Sequence, residues 1–183
     1  MLISLAVRLI IPDTTALSAR RALRKAGLND VQELRREVCW SFDVQEPGVS
    51  PATPQAVAER LLSTDVLVNY NKHRGRWWHG GLDRAAPADD GSAHAWGRLL
   101  VEDRDDPEPV RMQRILTTRL GLSGIFVRRH GTLWSVGAVV GSDVVRLTNA
   151  AAHLLLTNPH GQVGEIVGAS PSPNGGNVHP AVR

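Results

Sequence analysis

Two stretches of this chain, about half its length apart, carry the same residues in the same order. In each, a Gly-Leu pair is followed at equal distances by an arginine and a Trp-Ser pair: Gly27, Arg35 and Trp40 in the first stretch, Gly121, Arg129 and Trp134 in the second. The shift between them is 94 residues. Farther along it is 93, where four positions match again: Ala58, Leu61, Leu62 and Thr64 against Ala151, Leu154, Leu155 and Thr157. Because paired Trp-Ser and Leu-Leu-x-Thr matches rarely arise by chance, the pattern predicts two copies of one folding unit.

The repeat divides the 183 residues into four parts. Residues 1–72 are the first copy, 73–94 a linker rich in Gly, Pro and Asp, 95–167 the second copy, and 168–183 a tail with too few apolar groups to fold. A unit of about 70 residues buries only about 60% of its unfolded surface and is marginally stable alone. We therefore expect the two copies to pack against each other.

Hydrophobic periodicity predicts the order strand, helix, two strands, helix, strand in each copy. The first helix of the first copy is expected to be capped by Asp13 or one of the two threonines after it and to be closed by Gly27. Residues 31–44 read as a hairpin or one long bent strand, and residues 66–71 as the last strand. In the second copy, residues 125–140 are predicted to form a hairpin turned at His130-Gly131.

This order of elements predicts an α+β fold made of two tandem ferredoxin-like β-α-β-β-α-β units. Both helices of such a unit lie on one face of its sheet, so the other face is left uncovered. Packing the two sheets together with pseudo-twofold symmetry would bury that face and protect the edge strands.

Composition restricts the class of protein. The hydrophobic content is 42%, and no charge-free apolar run of about 20 residues occurs, so no membrane span is predicted. The N-terminus lacks the basic region and cleavage site of a signal peptide, which favours a cytoplasmic protein. The net charge is +3, but the basic residues are spread among acidic ones and form no long basic run, so nucleic-acid binding is not favoured. The single cysteine, Cys39, lies in an alternating apolar segment and is predicted to be a packing residue.

No catalytic motif is visible in the sequence. The seven histidines form neither HExxH nor a Cys/His quartet, and the nucleophile elbow GxSxG and the phosphate loop GxxxxGK[ST] do not occur. The acidic pairs Asp89-Asp90 and Asp105-Asp106 are expected in turns or helix caps. We accordingly assign no catalytic, cofactor-binding or metal-binding residue.

The order of several short motifs resembles the PurS family, the small subunit of phosphoribosylformylglycinamidine synthase. The second copy has Asp106-Pro107 before its first helix, Arg129-His130-Gly131 at the predicted hairpin and Leu155-Leu156-Thr157-Asn158-Pro159 before its last strand. The first copy is looser: it keeps Gly27, Arg35 and Leu61-Leu62, but has Glu37 in place of the hairpin glycine. Family members are usually single units that form dimers, so a tandem chain looks like a covalent dimer.

The resemblance implies a noncatalytic structural subunit without a cofactor. Its partners would be a glutaminase subunit and a synthetase subunit, which it would bridge in de novo purine biosynthesis; self-association is left open. The candidate partner-interface residues are Arg35, Arg129, Asp106 and Asn158. For the two arginines, salt bridges to the nearby Glu33, Glu37 or Glu102 are an equally good interpretation.

Two other functions stay open. Tandem ferredoxin-like units can form a regulatory domain that binds an amino acid or nucleotide between the copies, and a pocket with convergent polar groups at that junction would favour this alternative. They can also bind RNA through aromatic residues of the sheet, but Phe42 and Phe126 are too few to support that function.

Overall fold

The computed structural model describes residues 1–45, 53–84, 94–139, 141–170 and 179–180. It is a mixed α+β structure with one antiparallel sheet and four helices. The strands are β1 (Leu2–Leu9), β2 (Val31–Val44), β3 (His73–His79), β4 (His94–Asp103), β5 (Ile125–Val139), β6 (Gln162–Ser170) and the two-residue β7 (His179–Pro180). The helices are α1 (Thr14–Lys25), α2 (Pro54–Leu62), α3 (Glu108–Arg114) and α4 (Val144–Ala151). Helices α3 and α4 continue into π-helical turns over Ile115–Arg119 and Ala152–Leu156.

The order of strands in the sheet is β6-β4-β5-β2-β1-β3-β7. The first half of the protein, β1 to β3, therefore meets the second half, β4 to β6, along the strand pair β2–β5. We call this strand pair the seam. All pairings in the sheet are antiparallel.

The register of the seam follows the shift seen in the sequence. Arg35 lies opposite Ser135, and Ser41 lies opposite Arg129. At a shift of 94, Arg35 corresponds to Arg129 and Ser41 corresponds to Ser135. The shift therefore converts one of these cross-strand pairs into the other. Val38 lies opposite Thr132, its own counterpart. The seam thus has a local two-fold relation in its register, centred on the Val38–Thr132 pair.

The predicted hairpin over residues 125–140 is wrong. Strand β5 runs through His130 and Gly131 without a turn, and β2 is likewise one long strand, the second of the two alternatives for residues 31–44. Gly131 has no left-handed backbone. A Cβ at this position would lie 2.6 Å from the carbonyl oxygen of Val101, so glycine allows a close approach of β4 there.

Each half consequently has three strands in the order β-α-β-α-β, and the four-stranded ferredoxin-like units expected from the sequence are not seen. The two sheets also do not pack face to face. They join edge to edge at the seam. The edges of β2 and β5 are therefore protected because the two strands hydrogen-bond to each other, not because another element covers them.

The last strand of the first half also differs from the prediction. Residues 66–71 form turns, in which Leu67 and Val68 are buried, and the strand that pairs with β1 is β3, within the predicted linker. Most of the predicted tail, residues 171–178 and 181–183, lies outside the described residues, whereas residues 168–170 belong to β6.

Helix α1 follows its sequence signals. The carboxylate of Asp13 accepts hydrogen bonds from the backbone N–H groups of Thr15 and Ala16, at 2.9 and 3.2 Å. Arg24 and Lys25 lie in the last turn, where cations favour the helix dipole, and Gly27 has a φ of 100°. The predicted cap and end are both confirmed.

All four helices pack on the same face of the sheet, which we call the helix face. Two apolar clusters lie there. One is built around Leu5, Phe42, Leu61 and Leu116, and the other around Leu23, Leu99, Val136 and Ala151. The opposite, helix-free face carries a smaller cluster that includes Ala6, Cys39, Trp78, Leu82, Leu100, Leu133 and Val167. Within the described part of the chain, no helix is long and apolar enough to cross a membrane.

Candidate functional site

The middle of the seam is open on the helix face. Val38 lies near the centre of a central strand, yet 42% of its surface is exposed. A cavity of about 450 Å³ lies above it. We call this cavity the seam cleft, and its lining residues are Val7, Leu9, Asp13, Arg36, Val38, Trp40, Val66, Leu67, His73, Glu108, Arg111, Met112, Ile115 and His130.

An ion pair from the first half forms one side of the cleft. The Nε of Arg36 donates to Oδ2 of Asp13 at 2.9 Å, and its Nη2 lies 3.5 Å from Oδ1. Because the same carboxylate caps α1, its position is fixed by the helix. The guanidinium carbon of Arg36 also lies 6.0 Å from the ring centroid of Trp134, across the seam.

The second half supplies a matching arrangement. Nδ1 of His130 lies 2.5 Å from Oδ2 of Asp106, whose Oδ1 accepts a hydrogen bond of 2.9 Å from the N–H of Glu108 at the start of α3. The imidazole of His130 also packs on Trp40, with ring centroids 4.0 Å apart. The two halves thus share one arrangement. An acidic residue before a helix contacts a basic residue of a central strand, and that basic residue packs near a tryptophan of the other half.

The sequence contains a signal for this arrangement. The 94-residue shift places Arg36 on His130, and Trp40 on Trp134. With an acidic residue before the first helix of each half, the alignment indicates two equivalent basic positions near two acids. The contacts themselves depend on the pairing of β2 with β5, which the sequence did not predict.

Helix α3 and the turn after α2 complete the cleft. Arg111 pairs with Glu108 at 3.0 Å, and Met112 and Ile115 supply apolar surface. The Nδ1 of His73 is buried and has no hydrogen-bond partner among the described residues. Buried polar atoms are usually hydrogen-bonded, and this nitrogen is an exception among the described residues.

The four candidate interface residues do not come together. Arg35 lies on the helix-free face, where it bonds Glu33 at 2.6 Å and stacks over Trp96 at 4.3 Å. Arg129 is on the same face, 2.6 Å from both Glu102 and Glu165. Its hydrogen bond with Glu102, supported by Glu165, raises the pKa of Arg129 above its ordinary value.

The other two candidates also lie apart. The side chain of Asn158 accepts from the N–H of His160 at 3.1 Å and so shapes the turn before β6. Asp106 alone of the four reaches the seam cleft, through His130.

The helix-free face opposite the cleft is sealed by a buried ion pair. Arg76 donates to Glu37 through Nε at 2.9 Å and Nη2 at 2.6 Å. Burial raises the pKa of Glu37, but the charge and hydrogen bonds of Arg76 lower it by more, and the net pKa lies below its ordinary value. The neighbouring Cys39 is fully buried, which raises the pKa of its thiol, so the predicted packing role of this residue is confirmed.

The lining of the cleft combines charged and apolar side chains. None of its lining residues carries a hydroxyl or thiol nucleophile. The ring of His130 is held in place by Asp106 through its Nδ1 atom. Over the described ranges, no three His, Cys, Asp or Glu side chains are grouped to hold a metal ion. No protein-family model matches this sequence, and no curated protein matches it.

Proposed function

We propose that this protein is a noncatalytic structural subunit of phosphoribosylformylglycinamidine synthase, which bridges a glutaminase subunit and a synthetase subunit in purine biosynthesis. One observation carries the proposal: the two halves join at a seam whose register follows the internal repeat, with Arg35 opposite Ser135 and Ser41 opposite Arg129. A seam whose register follows the repeat supports a chain that corresponds to a dimer of PurS-like units joined in one polypeptide.

Under this proposal, the two halves are tandem ferredoxin-like copies related by a pseudo-twofold axis through the seam. In each copy, the second and third strands would have merged into one long strand, β2 or β5. Each long strand pairs with the other across the seam along nearly its whole length, and its C-terminal part also pairs with the first strand of its own half.

A reconstitution assay tests the bridging role. The glutaminase and synthetase subunits are assayed for amidine formation with and without this chain, using either glutamine or ammonium as nitrogen donor. We expect glutamine-dependent formation to require the chain, whereas ammonia-dependent formation continues without it, because only the former needs ammonia to pass between subunits. Full glutamine-dependent turnover in its absence would contradict the role.

The seam cleft favours a second candidate, a regulatory domain that binds a small molecule between the halves. Asp13 and Arg36 come from one half and His130 from the other, so a ligand in the cleft would contact both. Cavities of roughly 300–1,000 Å³ with a few converging polar groups are typical of small-molecule sites. Ligand-dependent rises in melting temperature, lost when the cleft is filled by mutation, would support this function.

A further inference from the structure

We propose that the seam cleft binds a zwitterionic small molecule, namely an α-amino acid with an apolar side chain. This inference rests on the second candidate function and specifies its ligand. It depends on two properties of the cleft: its balance of charges and its apolar surface.

The charges that line the cleft are balanced. Asp13 and Arg36 contribute one carboxylate and one guanidinium, and Glu108 and Arg111 contribute another of each. A polyanion such as a nucleotide would meet two carboxylates, and a polyamine would meet two guanidinium groups, so like-charge repulsion disfavours both. A molecule with one positive and one negative group matches both kinds of side chain.

The charged side chains retain hydrogen-bonding capacity for such a ligand. Arg36 uses Nε and Nη2 on Asp13, which leaves Nη1 with two donors for a carboxylate. Glu108 accepts from Arg111 but is 39% exposed, and each carboxylate oxygen has two lone pairs, so it can also accept from an ammonium group.

The remaining surface of the cleft is apolar. Val38 and Trp40 lie on the seam, and Met112 and Ile115 lie on helix α3. Covering the exposed Val38 with an apolar side chain removes both surfaces from water, which favours binding. An aliphatic, thioether or aromatic amino acid therefore fits better than a small polar one.

Isothermal titration calorimetry of the full chain tests the ligand class. The probes are L-leucine, L-methionine and L-phenylalanine, with 3-phenylpropionate and phenethylamine as analogues that lack the ammonium or the carboxylate, and AMP as an anionic probe. We expect at least one amino acid to bind. Each single-charge analogue should bind at least roughly tenfold more weakly than phenylalanine, because a hydrogen bond between charged groups contributes about 1.5–3 kcal/mol.

Two valine substitutions locate the binding. Val38→Trp fills the cleft and should abolish binding. Val163→Trp changes a valine of similar exposure, 46% against 42%, on the edge strand β6 and should leave binding unchanged. If Val38→Trp does not fold, as judged by circular dichroism, Arg36→Gln replaces it and should weaken binding roughly tenfold or more through loss of the carboxylate partner.

The outcomes separate the ligand from the site. Binding of AMP, blocked by Val38→Trp, without binding of any amino acid would overturn the zwitterion proposal and leave a ligand site at the seam. Amino-acid binding that Val38→Trp and Arg36→Gln leave unchanged would overturn the placement in the cleft. An absence of heat with every probe, confirmed by equilibrium dialysis, would overturn both the ligand class and the second candidate function.

Discussion

The two faces of the seam hold ion pairs of similar chemistry in very different surroundings. On the helix-free face, the side chains of Arg76 and Glu37 are 8% and 5% exposed. On the helix face, those of Arg36 and Asp13 are 35% and 15% exposed. A charge that has lost its water depends on its partner, whereas a charge still in contact with water can exchange one partner for another. We infer that the sealed face serves stability and that the open face serves binding.

The largest effect should follow from breaking the buried pair. Arg76→Met leaves the Glu37 carboxylate buried without its main partner and is expected to lower the free energy of unfolding by about 3–5 kcal/mol. Urea denaturation followed by circular dichroism measures the loss. Arg74→Met, at an exposed position of the same strand, is the control and should change the value little. A loss of under about 1 kcal/mol for Arg76→Met would contradict the assigned role of the pair.

Acid should weaken the same face. Since the pKa of Glu37 is lower in the folded protein than its ordinary value of 4.5, the ionised carboxylate stabilises the fold above about pH 4.5, and this stabilisation is lost as the pH falls through the folded value. Unfolding free energies measured between pH 7 and pH 3 should fall more steeply for the wild type than for Glu37→Gln. Equal slopes for the two proteins would show that Glu37 contributes nothing to acid sensitivity.

A second arginine of the helix-free face should behave in the opposite way. Arg98 is 7% exposed, and its Nε has no hydrogen-bond partner among the described residues. Burial and the nearby Arg76 lower the pKa of Arg98 to about 10, and the charge of Glu37 offsets them only in part. Because this charge is poorly compensated, Arg98→Met should raise the free energy of unfolding by about 1–3 kcal/mol. A melting temperature below that of the wild type would show that Arg98 has partners that its contacts do not reveal.

These contrasts also explain which parts of the fold could be predicted. Helix α1 was predicted correctly because Asp13 and Gly27 act on the residues beside them. The role of Gly131 was not, because it depends on Val101, which is 30 residues away in sequence but adjacent in the sheet. Strand β3 was missed for a similar reason: its pairing with β1 places Trp77 opposite Leu5, while its local composition resembles a loop.

The candidate site was predictable only in part. Asp106 was chosen from a motif, and the internal repeat contains the equivalence of Arg36 and His130. What could not be read from the sequence is that β2 and β5 pair with each other, which brings Trp134 to Arg36 and Trp40 to His130. A site formed between two halves requires the arrangement of the halves, and local sequence patterns do not determine it.

The smallest effect is expected on the open face. Arg36→Gln removes the guanidinium, and Asp13→Asn removes the negative charge but keeps an oxygen that can cap α1. Each substitution should cost about 0.2–1 kcal/mol, as for other partly exposed pairs, and a double-mutant cycle should give a coupling energy in that range. A coupling energy near that of a buried pair would mean that the Arg36–Asp13 ion pair is too strong for Arg36 to exchange Asp13 for a ligand. A weak one is what a binding site needs, because the guanidinium can then turn to a ligand carboxylate at little expense to the fold.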